Sequence, residues 1–183
     1  MTGERTLIIG LGNPILRDDA VGIRLAQDLA SRMGLPDGVR EDAGGILPGL
    51  HFMQECSLGG LILVEAMAGF DRVVVLDSIN TVDGVPGDWH YFTAERLKTT
   101  LNLSNVHDVN FATALELGRR VGLRLPLEAE VHVFAVEIED TLTFDERMSP
   151  SMEAAYPVFS REIFQELAER LPDLGIPAWR LDA

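Results

Sequence analysis

Thr6-Leu7-Ile8-Ile9-Gly10-Leu11-Gly12-Asn13-Pro14, followed by Asp18-Asp19-Ala20-Val21-Gly22, is the stretch on which the fold turns. A short, nearly continuous apolar run stopped by Gly-Asn-Pro is the pattern of a strand covered on both faces, because a strand with one wet face would alternate. Beyond it Val21, Leu25, Leu29 and Met33 recur every fourth position up to Gly34, which predicts a helix over 19–33. Buried strand, glycine turn and amphipathic helix together make the opening unit of an α/β sheet.

The same alternation continues outward from this unit. A weaker second strand is expected around Val39 to Asp42, running into a loop with Gly44, Gly45, Pro48 and Gly49. Leu58 to Ala68 reads as a buried helix, and Val73-Val74-Val75-Leu76-Asp77 as a strand ending on Asp77. A turn at Asp83-Gly84 leads to a short edge strand within Gly87 to Thr93. A helix over 108–121 and a strand over Val131 to Ile138 follow, with His132 placed on the polar face of that strand. Ser149-Pro150 opens the last helix, with the serine as cap and a stripe from Met152 through Tyr156, Phe159 and Ile163 to Leu171. The expectation is one α/β domain over 1–183 with an open, mostly parallel sheet, helices on both faces, and a loosely held tail from about 172 to 183. If the first two strands pair and the third lies on the other side of the first, the order reverses between strands one and three. Ligands of such folds bind beyond the carboxyl ends of the strands at that reversal.

Composition narrows the chemistry. The 183 residues carry a formal charge of −14, from 29 Asp and Glu against 15 Lys and Arg. Such a chain repels phosphate backbones and anionic lipid, so the expected partner is a basic or neutral protein rather than nucleic acid or membrane. Lys98 is the only lysine and follows no glycine-rich loop, which excludes the lysine-dependent phosphate loop. With Cys56 as the one cysteine, no intrachain disulfide or cysteine-rich metal cluster can form. No signal pattern and no membrane-length apolar run is seen, so a cytoplasmic protein is expected, with a monomer as the default state.

Gly10-Leu11-Gly12 begins like a dinucleotide fingerprint, but Ile15 stands where the third glycine would fall, and Asp18-Asp19 would oppose a pyrophosphate. The glycines are therefore read as serving the strand-to-helix turn. One of Asp18 and Asp19 can cap the helix while the other faces the crevice, where Asp77 should approach it. Two carboxylates brought together want a cation or a shared proton, unless both simply accept backbone amides in turns. His107, in Ser104-Asn105-Val106-His107-Asp108, is the histidine with a suggestive setting; His51 and His90 lie in loop or edge segments. Asp19, Asp77 and His107 would form an O,O,N site with open positions, suited to nickel, zinc or iron rather than calcium. Glu137, Glu139 and Asp140 could meet a basic patch on a partner, with a solvated acidic turn as the plainer reading. Cys56 lacks an activating base nearby, and no serine sits in a nucleophile elbow.

Gly10-Leu11-Gly12-Asn13 with Asp18-Asp19-Ala20-Val21-Gly22, then Val74-Val75-Leu76-Asp77-Ser78, then Ser104-Asn105-Val106-His107, resembles the nickel-iron hydrogenase maturation endopeptidases over about residues 6–170. The resemblance implies a three-layer α/β/α sandwich and a hydrolase, an aspartic-type endopeptidase. Such an enzyme inspects the hydrogenase large-subunit precursor, recognises nickel already inserted there, and removes a C-terminal extension. It also implies that Asp19, Asp77 and His107 are at once the metal-contacting and the catalytic residues, that Asp18 supports them, and that the nickel is the substrate's own. Where the family commonly has an Asp-Gly-Gly-Thr type turn after strand two, this chain departs from it with Asp42-Ala43-Gly44-Gly45-Ile46, and Gln54 to Gly60 looks like a subfamily variation. The competing readings are a receiver-like signalling domain with an acidic metal pocket, which would want a lysine there, and a nickel chaperone that does not cut.

Overall fold

The computed structural model describes residues 4–35, 49–57, 60–97 and 106–177, with the side chains of 60, 61, 97 and 106–112 outside that description. In chain order the elements are β1 (Thr6–Leu11), α1 (Val21–Arg32), β2 (Leu50–Cys56), α2 (Gly60–Ala66), β3 (Arg72–Ile79), β4 (Trp89–Thr93), α3 (Ala94–Leu97), α4 (Val106–Arg120), β5 (Val131–Glu137) and α5 (Pro150–Arg170). The sheet runs β2-β1-β3-β5-β4, parallel except for β4, which lies antiparallel to β5. It is the open α/β sheet that the sequence predicts, with β1 and β3 side by side at the reversal point.

The apolar runs are continuous because each face of the sheet has its own core. Ile8, Val74, Leu76, Phe134 and Val136 pack under α1 and α5 with Leu25, Leu29, Phe159 and Ile163. The alternate residues Leu7, Ile9, Val73, Val75, Val131 and Val133 pack with Leu63, Val64, Met67 and Leu115 of α2 and α4. Helix α1 lies close against the sheet through glycine. A Cβ on Gly22 would fall onto the carbonyl oxygens of Leu11 and Leu76, and one on Gly10 would stand 2.7 Å from the Ala26 Cβ. Gly10 thus serves helix docking, while Gly12, at φ +141°, makes the turn.

Several expectations are corrected. The strand beside β1 is Leu50–Cys56, and the expected strand at Val39 to Asp42 lies outside the described residues. Strand β2 has the alternating burial of a sheet edge, with Gln54 and Glu55 interrupting its apolar pattern. The segment after β2 begins at Ser57, and Asp42 to Ile46 lie outside the described residues. Strand β3 runs two residues past Asp77, and α4 starts at Val106, so His107 lies in its first turn rather than before it. His132 is not on a wet face: a parallel strand has none, and it is buried, with its Nδ1 2.9 Å from the Tyr91 hydroxyl. Ser149 occupies the cap position of α5 without a side-chain cap bond. The chain just past Pro172 is packed rather than loose, with Asp173 2.6 Å from Arg72 and Leu174 buried; residues 178–183 lie outside the described part.

Gly22→Ala is expected to cost about 1–3 kcal/mol in denaturant unfolding, since the strands cannot yield to a methyl group at backbone distance. Burial holds the His132 imidazole below its ordinary value of 6.5, outweighing the pull of Glu130. The unfolded chain then binds the proton more readily than the folded one. This residue's contribution is present above about pH 6.5 and is lost as pH falls through the lower folded-state value. Unfolding midpoints measured downward from pH 7 should drop less steeply for His132→Gln than for the parent chain.

Candidate functional site

The turn between β1 and α1 is a 3-10 turn over Arg17–Ala20, and it sends its two aspartates to different tasks. Neither caps α1, whose N-cap is Ala20. Asp18 is fully buried; its Oδ1 accepts the Ser149 amide at 2.6 Å and its Oδ2 the Asp140 amide at 3.1 Å. Those bonds fasten the loop after β5, and the start of α5, to the turn after β1. Asp19 is half-buried: Oδ2 accepts the Asn13 amide at 2.9 Å and Oδ1 accepts the Ser78 hydroxyl at 2.7 Å.

Ser78 is the residue that the sequence reading missed. Its hydroxyl donates to Asp19 and its amide donates to Asp77 Oδ1 at 2.8 Å, so one residue orients both candidate carboxylates. It goes unnoticed as a small polar residue at a strand end, where a serine is ordinary; only the strand order makes its neighbour Asp19. Each Asp19 oxygen accepts one of these bonds, and a carboxylate oxygen has a second lone pair, so the donor set can still take a cation. By strand alternation Asp77 lies on the face of Val73 and Val75, the face covered by α2 and α4. His107 stands second in α4. Among the described residues no three His, Cys, Asp or Glu side chains are grouped to hold a metal, and the His107 side chain is outside them. Ser78 thus bonds both carboxylates at the end of β3, Asp19 through its hydroxyl and Asp77 through its amide.

Around this pair the loops are braced by ion pairs and hydrogen bonds. Arg17, at a left-handed φ of +25°, reaches Asp140 at 3.2 Å and Asp145 at 3.4 Å. The Asp140 carboxyl is held down to about 2 by the Thr143 hydroxyl, the amides of Thr143 and Leu142, and Arg17. Glu137 is not part of a solvated acidic turn. It is buried and bound by the Thr81 hydroxyl at 2.7 Å, the Thr81 amide at 3.1 Å and His90 Nε2 at 3.0 Å. Cys56 is buried in the α2/α4 core, which removes it from the nucleophile candidates.

The chain is an open α/β sheet with two aspartates, Asp19 and Asp77, at its strand-order reversal. No protein-family model matches the chain. It is 29% identical over 119 residues to the hydrogenase 2 maturation protease of Escherichia coli K12, covering 64% of this chain and 65% of that protein. It is also 31% identical over 80 residues to the hydrogenase expression/formation protein HoxM of Azotobacter vinelandii, covering 44% and 33%. In both cases the match spans less than two thirds of the relative's length. Among solved structures, the hydrogenase maturating endopeptidase HybD of Escherichia coli superposes with a TM-score of 0.66 at 23% identity, over 91% of this chain and 93% of that one. The [NiFe] hydrogenase maturation protease HybD of Thermococcus kodakarensis gives 0.60 at 22%, over 91% and 98%. These two share the fold. The chain is thus similar in sequence to part of two hydrogenase maturation proteins, and similar in fold to hydrogenase maturation endopeptidases.

Two substitutions should separate support from site. Asp18→Asn puts an amide NH2 against a backbone N–H and should cost about 1–3 kcal/mol of stability. Ser78→Ala removes only the hydroxyl donated to half-buried Asp19 and should cost less, about 0.5–1.5 kcal/mol in denaturant unfolding.

Proposed function

We propose that this protein is an endopeptidase that removes the C-terminal extension of a nickel-iron hydrogenase large-subunit precursor after nickel has been inserted, with the bound nickel as the feature recognised. The observation that carries the reading is the pair Asp19 and Asp77, held by Ser78 at the strand-order reversal of a chain related to the hydrogenase 2 maturation protease.

Asp19, Asp77 and His107 are assigned to contact the metal. Two carboxylates and an imidazole suit a borderline divalent ion, and three ligands leave positions for the ion's original ligands on the precursor. The nickel is therefore part of the substrate: a loaded precursor is bridged to the site and an empty one is not. Hydrolysis adds the hydroxyl of one water to the scissile carbonyl carbon and its proton to the departing nitrogen. The carboxylates of this chain supply proton-accepting groups beside that bond, a role for which neither buried Cys56 nor any serine elbow competes. Asp18 is assigned as a support, since both its oxygens are committed to backbone amides.

The test is the intact mass of a large-subunit precursor incubated with this protein, with and without nickel loaded. Loss of a short C-terminal peptide from the loaded form alone is expected, and His107→Ala and Asp77→Asn should abolish it with circular dichroism unchanged. Cleavage of the empty precursor at the same rate would remove the metal check; absence of cleavage with a cognate loaded precursor would favour a non-cutting nickel carrier.

A further inference from the structure

We infer that the loops following β1, β3 and β5 form one docking face for a partner protein that presents an apolar patch framed by basic side chains. This rests on the proposed function and supplies its partner-binding surface, the partner being the metal-bearing precursor.

Ten large apolar side chains are exposed among the described residues, and five of them, Ile15, Val82, Val85, Leu142 and Phe144, lie on these three loops. Val82, Leu142 and Phe144 are 84%, 83% and 77% exposed. Exposed apolar residues scattered singly are ordinary, but half of the total at one end of the sheet is a concentration that needs a cause. The loops are also cross-tied. Leu16 forms a β-bridge with Asp145, the Arg17 amide donates to the Asp145 carbonyl at 2.9 Å, and the Asn80 side-chain amide donates to the Ile138 carbonyl at 2.9 Å. The backbone that carries these side chains is thus held in place beside Asp19 and Asp77.

Charge selects the occupant. Residues 12–20, 80–88 and 138–149 carry eight carboxylates against two guanidiniums, Arg17 and Arg147, both already paired with Asp145. An apolar surface with that border repels a nucleic acid or an anionic membrane and attracts a protein whose apolar patch is edged by lysine and arginine.

The experiment compares Leu142→Ser/Phe144→Ser with a control pair at the opposite end of the sheet, Val121→Ser/Leu127→Ser, which is similarly exposed. With the nickel-loaded precursor, the loop variant should raise KM roughly ten-fold or more while kcat stays within about two-fold. The control pair should change neither, and binding of immobilised precursor by the parent chain should weaken with added salt. If the parent chain cleaves and the loop variant keeps its KM, the docking face is wrong and the proposed function stands. If the parent chain does not cleave but binds the precursor, and the loop variant loses that binding, the docking face stands without the protease. Equal binding by both variants overturns it.

Discussion

A carboxylate that is fully buried must find donors, and Asp18 finds two backbone amides that are 122 and 131 residues away in sequence. That single side chain ties the first strand-to-helix turn to the last one. The start of α5, the loop carrying Asp140 and Asp145, and the turn carrying Asp19 are set relative to one another by it. A hydrophobic core alone would not fix this register, because packing sets distances between elements more closely than it sets the path of polar loops above them. With Asp18 turned inward, its neighbour Asp19 is left facing Ser78.

How legible this was depends on how many faces of each element are buried. Strands β1, β3 and β5 are covered on both sides, and in β1 and β3 this shows as apolar runs, Leu7 to Ile9 and Val73 to Leu76, that no helix of that length would need. Strand β2, with neighbour β1 on one side only, carries the half-buried pattern Leu50, Phe52, Gln54, Cys56, and one polar residue in that series was enough to hide it. His132 was misplaced by the same rule applied too widely: alternation between polar and apolar residues implies a wet face only where a face is wet, and in β5 every residue is buried.

At the site, the acidic pair was visible but its division of labour was not. In sequence, metal ligation and amide binding were both open to Asp18 and Asp19, and the structure shows amide binding by both, with only Asp19 left half-exposed. Ser78 and Glu137 were illegible for a different reason. Their roles come from partners 59 and 56 residues away, Asp19 and Thr81, so they depend on strand order and not on any local pattern.

Carboxylates gathered on the loops of a chain of charge −14 should repel one another unless fixed donors offset the repulsion. The compensation is local and made largely of backbone. Asp19 takes the Asn13 amide, Asp77 the Ser78 amide, Asp145 the Arg147 amide, and Asp140 the amides of Leu142 and Thr143, while Arg17 bridges the last two carboxylates. Amide donors are fixed in place, so each carboxylate is oriented before any ligand arrives. On the proposed reading this is why the metal can belong to the partner: carboxylates held by amides keep their orientation whether or not a cation is bound, and can receive one that arrives on another protein.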